Sequence, residues 1–288
     1  MTRITRREWH QMAVAGILSA AGWRLDAHQE TDATYKGVTL GVQSYSFRDM
    51  SLERAIDGMR AVGLSSCELW QGHVEPNVGR AELRQWRETV PLDEFHRLKD
   101  KFEEAGIALS AYNLSFKDDF SVAELQRGFE MAKALGAPCI TASAQINSVA
   151  RVAAAGARHN LRVGMHNHSR IDPNEFATPQ NFEDAMKVGR AIVINLDIGH
   201  FTAANFDAVA FLRRHHDSIV TLHIKDRRRN QGPIVPFGRG DTPIGPVLRL
   251  LRDERWPIPA NIEYEYEGRN TIEEVRRCLE YCRRQLDS

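Results

Sequence analysis

The chain has 288 residues, enough for one large barrel or two small domains and ample for a sizeable core. Hydrophobic residues make up 42% and charged residues 26%, a globular balance that excludes a disordered or membrane-spanning chain. Lys+Arg and Asp+Glu stand at 38 each, so no net field draws nucleic acid or an anionic membrane, and neither is expected as a partner.

The N-terminus reads as an address. Thr5-Arg6-Arg7-Glu8-Trp9 precedes a mild apolar stretch at 12–21, too short to span a bilayer but suited to a signal peptide. The paired arginines resemble a bacterial twin-arginine signal, although His10 and Gln11 depart from the apolar residues that usually follow the pair. Residues 1–36 are therefore assigned to export signal and linker, and the mature protein to the periplasm; without a signal it would be cytoplasmic.

From residue 37 to 288 short β-rich runs alternate with amphipathic stretches. Strands are predicted at 39–44, 65–70, 108–113, 139–142, 162–166, 193–197, 220–224 and 260–264. Helices are predicted at 52–62, 92–105, 122–135, 146–159, 179–188, 206–215, 244–254 and 272–286. Ser51 and Ser121 stand as N-caps, and Glu124 completes a capping box with Ser121. Gly63, Gly106 and Gly136 fall where helices end. The strands are mostly continuous apolar runs, as when both faces of a sheet are covered. Eight such units predict a single α/β domain, a (β/α)8 TIM barrel. Cys67 and Cys139 lie in strand-like runs and Cys278 and Cys282 on a helix, as packing thiols rather than disulfides or zinc ligands. Two long connections, 71–90 and 227–243, are expected over the mouth, where loops govern substrate choice. The first reads as a long loop or short helix, and the run Arg227-Arg228-Arg229 as a solvated loop.

Barrel chemistry collects at the C-terminal ends of the strands. Gln43 and Tyr45 close the first, Glu68 and His73 the second, Asn113 the third and Gln145 follows the fourth. Strand five ends His166-Asn167-His168; strand six carries Asp197 and His200; strand seven, His223 and Lys225; strand eight, Glu263 and Glu265. Residues two apart on a strand point the same way, which pairs His166 with His168, His223 with Lys225 and Glu263 with Glu265. Buried charge is costly unless paired or metal-bound. Four neighbouring strands each offering a His or carboxylate thus point to a mixed N/O site for Mn, Co, Zn, Mg or Fe.

The motifs "NLDIGH", "LHIKD" and "NIEYEYEG" together resemble the xylose-isomerase-like superfamily, which includes sugar isomerases and epimerases, inosose dehydratases and the endonuclease IV group. The resemblance covers residues 38–286. It implies one metal ligand from each of strands five to eight, which falls on His166, Asp197, His223 and Glu263, with His168 as the alternative to His166. Strand five departs from the epimerase pattern, because His166 stands where a Glu-Asn-His motif has its Glu. That Glu is one of two carboxylates that move a proton between substrate faces. The His-Asn-His form is similar to inosose dehydratases and to exported relatives that cleave 3-keto-glycosides by elimination.

The implied chemistry is metal-assisted removal of a proton α to a carbonyl, giving an enediolate. Reprotonation makes an isomerase or epimerase; loss of a β-substituent makes a lyase or dehydratase. His166 or His168, then Lys225 and Glu265, are the candidate bases. Glu68, His73, Asn113 and His200 are candidate substrate-binding residues, with a structural ion pair as the alternative for Glu68. Tyr45 and Trp70 could stack on a sugar face. The expected partner is a small-molecule sugar, with homo-oligomerisation through the rims. A multi-metal phosphodiesterase is opposed by the neutral charge; a non-catalytic sugar-binding barrel is the remaining alternative.

Overall fold

In the computed structural model, which describes residues 33–288, the apolar runs become eight parallel strands in sequence order. They are β1 (Val38–Gln43), β2 (Ser66–Trp70), β3 (Ala108–Asn113), β4 (Cys139–Ala142), β5 (Arg162–His166), β6 (Ile192–Asp197), β7 (Ile219–Ile224) and β8 (Ala260–Ile262). Each pairs with the next, and β1 returns to β8 through Leu40 with Ala260, Gly41 with Asn261 and Val42 with Ile262. That last pairing closes the sheet into the expected TIM barrel and leaves no barrel strand with an unpaired edge. A two-residue strand, Thr34–Tyr35, adds antiparallel to the start of β1. The segment read as an export signal lies, through residue 32, outside the described residues.

Helices α1 (Leu52–Val62), α2 (Arg80–Thr89), α3 (Asp93–Glu104), α4 (Val122–Ala134), α5 (Val149–His159), α6 (Pro179–Val188), α7 (Ile198–Ala203), α8 (Ala208–His215), α9 (Ile244–Glu254) and α10 (Thr271–Asp287) occupy the connections. Ser51 accepts from Arg54 N at the start of α1, and Ser121 and Glu124 form a capping box on α4. Gly63, at φ 86°, ends α1 in the left-handed region open to glycine. The apolar faces of the helices bury Phe47, Leu69, Phe102, Phe129, Leu196, Ile224, Leu248 and Leu279 in one continuous core. All four cysteines are free and buried. Among the described residues no helix is long and apolar enough to cross a membrane.

Three local features shape the site, the first in one of the two forms read from the sequence and the other two departing from it. The 71–90 connection holds a ten-residue helix, α2, of which only Arg87 is buried. At the end of β6 the chain turns directly into α7, because the Asp197 side chain accepts from His200 N and caps the new helix. Strand β8 stops at Ile262 rather than at 264, since Tyr264 N donates to Ser46 Oγ instead of to a neighbouring strand. Inside the barrel the buried layer is polar: Glu68, Thr141, Asn195, Thr221, His223 and Asn261. Gly41 makes room for it, as a Cβ there would lie 2.3 Å from Asn261 Oδ1.

Candidate metal centre

Strand register sets the level of the polar residues. His166 pairs with Asn195, Asp197 with His223, and His223 with Asn261, two residues before Glu263. His166, Asp197, His223 and Glu263 therefore converge, each offering one donor atom, with all four atoms within 4.8 Å of one another. All four side chains are buried.

Each of them also leaves one atom without a hydrogen-bond partner: His166 Nε2, Asp197 Oδ2, His223 Nδ1 and Glu263 Oε2. Buried polar atoms are normally paired; these four face one another, His223 Nδ1 lying 2.9 Å from Glu263 Oε2 and His166 Nε2 3.6 Å from Asp197 Oδ2, so a cation among them would serve all four. For three residues the other polar atom is engaged. His166 Nδ1 lies 3.3 Å from Ser143 Oγ, Asp197 Oδ1 accepts from His200 N at 2.6 Å, and His223 Nε2 lies 2.8 Å from Glu68 Oε1. Two nitrogens and two carboxylate oxygens suit a divalent ion of the Zn, Mn, Co, Fe or Mg group.

Lys225, wholly buried, borders this set. Its Nζ lies 2.7 Å from Glu265 Oε1, 3.0 Å from Glu263 Oε2, 3.2 Å from Asp197 Oδ2 and 3.1 Å from His200 Nε2. Burial opposes the ammonium charge, but Asp197, Glu263 and Glu265 outweigh it and raise its pKa above the ordinary lysine range. Burial likewise works to raise Asp197, yet His200 and Lys225 hold that carboxyl well below its usual range. His200 is pushed well below the ordinary histidine range by burial, with Lys225 adding to the shift against Asp197. Arg227, half-buried, closes the other side of His200, its Nη1 2.7 Å from both His200 Nδ1 and Ser169 Oγ. In this cluster four carboxylates (Glu68, Asp197, Glu263, Glu265) face two obligate cations (Lys225, Arg227). The carboxylates outnumber the obligate cations, a surplus that suits a divalent ion.

Several expectations are corrected by position. Glu68 is not at the mouth: it has no exposed surface and accepts from Thr141 Oγ1 at 2.6 Å, Asn113 Nδ2 at 3.3 Å and Asn261 Nδ2 at 3.1 Å. Asn113 directs its amide nitrogen to Glu68 and Thr141, so both residues meet inside the barrel. His73 turns its ring nitrogens to Ser44 Oγ and Phe47 O, 3.0 and 3.2 Å away. Trp70 packs edge-on between Tyr45 and His73. Of the His-Asn-His pair, His166 enters the converging set; the partly exposed His168 stands beside it, ring centroids 5.2 Å apart. The arginine run is divided, with Arg228 and Arg229 exposed and Arg227 turned inward. Sequence reasoning also missed Ser143, Ser169 and Glu175, whose Oε2 is 3.4 Å from His168 Nδ1. Asp226, next to Lys225, is buried and gathers the amides of Gly238, Gly240 and Thr242, which ties the 227–243 connection over this side of the mouth.

Structures of known proteins share this architecture. The IolI protein with a bound zinc atom superposes with a TM-score of 0.67 at 14% identity, over 86% of this chain and 98% of that one. A 3-keto-D-glucoside 4-epimerase from E. coli gives 0.66 at 13%, over 86% and 99%. A probable 3-DHS dehydratase from Bacillus anthracis gives 0.63 at 16%, over 84% and 98%. At such identities these likenesses establish the fold alone. A comparison with curated proteins gives no match. The sequence profile of the xylose isomerase-like TIM barrel matches residues 56–285, well over half of the chain, and the protein belongs to that family.

Proposed function

We propose that this chain is a divalent-metal-dependent enzyme that isomerises or epimerises a keto-sugar or sugar derivative through an enediolate. The observation that carries the reading is the set of four buried, unpartnered donor atoms on His166, Asp197, His223 and Glu263. These residues would hold the ion, which supplies Lewis-acid polarisation of a carbonyl and an adjacent hydroxyl.

The proton steps fall to the surrounding side chains. Burial and the neighbouring His166 push the His168 pKa down to about 4, so its imidazole is neutral at neutral pH and able to take the proton α to the carbonyl. Glu175 orients that ring from the side of Nδ1. Lys225, held protonated by three carboxylates, serves as a donor to negative charge developing on a substrate oxygen rather than as a base. Glu265, raised by burial and by Glu263 against the pull of Lys225, is placed to return a proton. His200, wedged between Lys225 and Arg227, fixes the Lys225 ammonium and caps onto Asp197.

A second reading, β-elimination from a 3-keto-glycoside, is favoured by His166: β5 contributes an imidazole where the two-base epimerase pattern has a carboxylate. The E. coli structural neighbour acts, by its name, on a 3-keto-D-glucoside. Metal-supplemented protein incubated in D2O with a 3-keto-glucoside and with free ketoses, followed by proton NMR, separates the readings. Deuterium at the α-carbon of an intact, rearranged sugar supports isomerase or epimerase chemistry, and deuterium with loss of the aglycone supports the lyase. Ligand-linked stabilisation without exchange on any of them would leave a sugar-binding barrel instead.

A further inference from the structure

Glu68 is a charged side chain with no exposed surface, sunk in the barrel interior on β2, and no function above uses it. No arginine or lysine pairs with it among the described residues; the one ionisable partner in reach is His223, whose Nε2 lies 2.8 Å from Oε1. Donors from four other strands hold the carboxylate still: Asn113 on β3, Thr141 on β4, His223 on β7 and Asn261 on β8. A carboxylate isolated from water at this depth is costly to bury and needs a compensating charge.

The arrangement has a direction. The nitrogen of His223 that faces Glu68 lies on the far side of the ring from Nδ1, which faces Glu263 Oε2 at 2.9 Å in the converging set. A carboxylate can only accept, so Nε2 must carry a hydrogen to satisfy it. With that hydrogen on Nε2, Nδ1 is the ring nitrogen left for an ion held between it and Glu263. The Asn195 amide also reaches this nitrogen, its Nδ2 3.1 Å from Nε2 while its Oδ1 has no partner; turned about, the amide would accept from Nε2–H as Glu68 does.

We infer that Glu68 is a positioning residue that fixes His223 as the Nε2–H tautomer, presents Nδ1 to the metal and adds negative charge behind the ligand. The inference rests on the reading of His223 as a ligand. It predicts that the carboxylate acts through metal affinity, and that it touches neither substrate nor ion. Such outer carboxylates change metal affinity by about 10- to 100-fold when removed.

The test uses the full chain, zinc, and two measurements. In zinc-loaded wild-type protein labelled with 15N-histidine, and assigned with His223→Ala, long-range 15N–1H spectra should show His223 Nε2 protonated and Nδ1 bound to metal. Competition titration with a chromophoric zinc chelator should then show Glu68→Gln and Glu68→Ala weakened about 10- to 100-fold. The opposite tautomer in the wild type overturns the inference, and so does wild-type zinc affinity in both Glu68 variants while His223→Ala loses zinc. Wild-type affinity in His223→Ala overturns the ligand reading itself, and the inference with it. If neither Glu68 variant folds, the wild-type tautomer alone decides.

Discussion

Arg87 and Lys225 are both cations buried among carboxylates, yet their surroundings differ in kind. Around Arg87 every charge closes on another. Its Nε and Nη2 meet the two oxygens of Glu75, each at 2.7 Å, while Glu124 takes Arg80 Nη1 and Nη2 at 2.7 and 2.9 Å and the Ser121 amide at 2.9 Å. None of these atoms lacks a partner, and the network straps α2 to α4. Around Lys225 the ammonium approaches Asp197 Oδ2 and Glu263 Oε2, yet these oxygens also converge with His166 Nε2 and His223 Nδ1 on one point, with no hydrogen bond of regular geometry among the four. A buried charge cluster that satisfies itself is architecture, whereas one whose acceptors share an unmatched point is a receptor for charge from outside.

That contrast can be broken or sharpened by substitution. The largest effect is expected from Asp197→Ala or Glu263→Ala: elemental analysis should find no bound divalent metal in a protein whose far-UV spectrum is unchanged. Full occupancy in both variants would erase the distinction between the clusters. Next, Glu124→Ala takes from Arg80 its buried partner, leaving it Asp119, and leaves Arg87 to Glu75 alone; it should cost about 1–3 kcal/mol in denaturant unfolding, with metal content intact. Loss of metal in that variant would mean the two regions are not separate. Lys225→Met should keep the metal and lower kcat by about 10²- to 10³-fold, as for other preorganised donors, and unchanged turnover would remove Lys225 from the chemistry.

A smaller effect concerns pH. A free histidine titrates near pH 6.5, but His168 is shifted down to about 4. Its basic form persists above that value and disappears as pH falls through it, so the acid limb of kcat/KM should lie near 4 and vanish in His168→Asn. A limb near 6.5 would contradict the burial of that ring. The smallest effect is a control: Arg97 and Glu94 form an exposed pair on α3, and Arg97→Ala should change stability by no more than about 0.5 kcal/mol.

The eight strands were legible because a parallel barrel strand, covered on both faces, is a short continuous apolar run. Helix ends were legible where chemistry marks them, as at Ser51, Gly63 and the Ser121–Glu124 box. α2 was legible only as a loop or short helix, because the sequence does not show the ion pairs from Arg80 and Arg87 to Glu124 and Glu75 that tie Arg80–Thr89 down beside the packing of Trp86. α7 was hidden because its cap, Asp197, also ends a strand, so the run read as strand alone. The convergence of His166, Asp197, His223 and Glu263 followed from placing each at a strand end. The depth of Glu68 did not: it depends on β2 pairing in register with β1 and β3, and one chain offers no measure of how far into the barrel a position falls. Arg227 was lost in a run of three arginines whose other members are exposed.

Asp197 divides its carboxylate between two tasks, Oδ1 holding the first turn of α7 and Oδ2 turned to the centre. His166 and His223 are likewise held from behind, by Ser143 and Glu68. The donor atoms are thus set in place by bonds that do not involve the ion, and filling the centre requires no refolding. Its speed then depends on how readily an arriving ion sheds water. Magnesium dehydrates reluctantly, so it should load slowly into such a preset pocket. Where several metals are present, the resident one would be decided as much by arrival rate and supply as by equilibrium affinity.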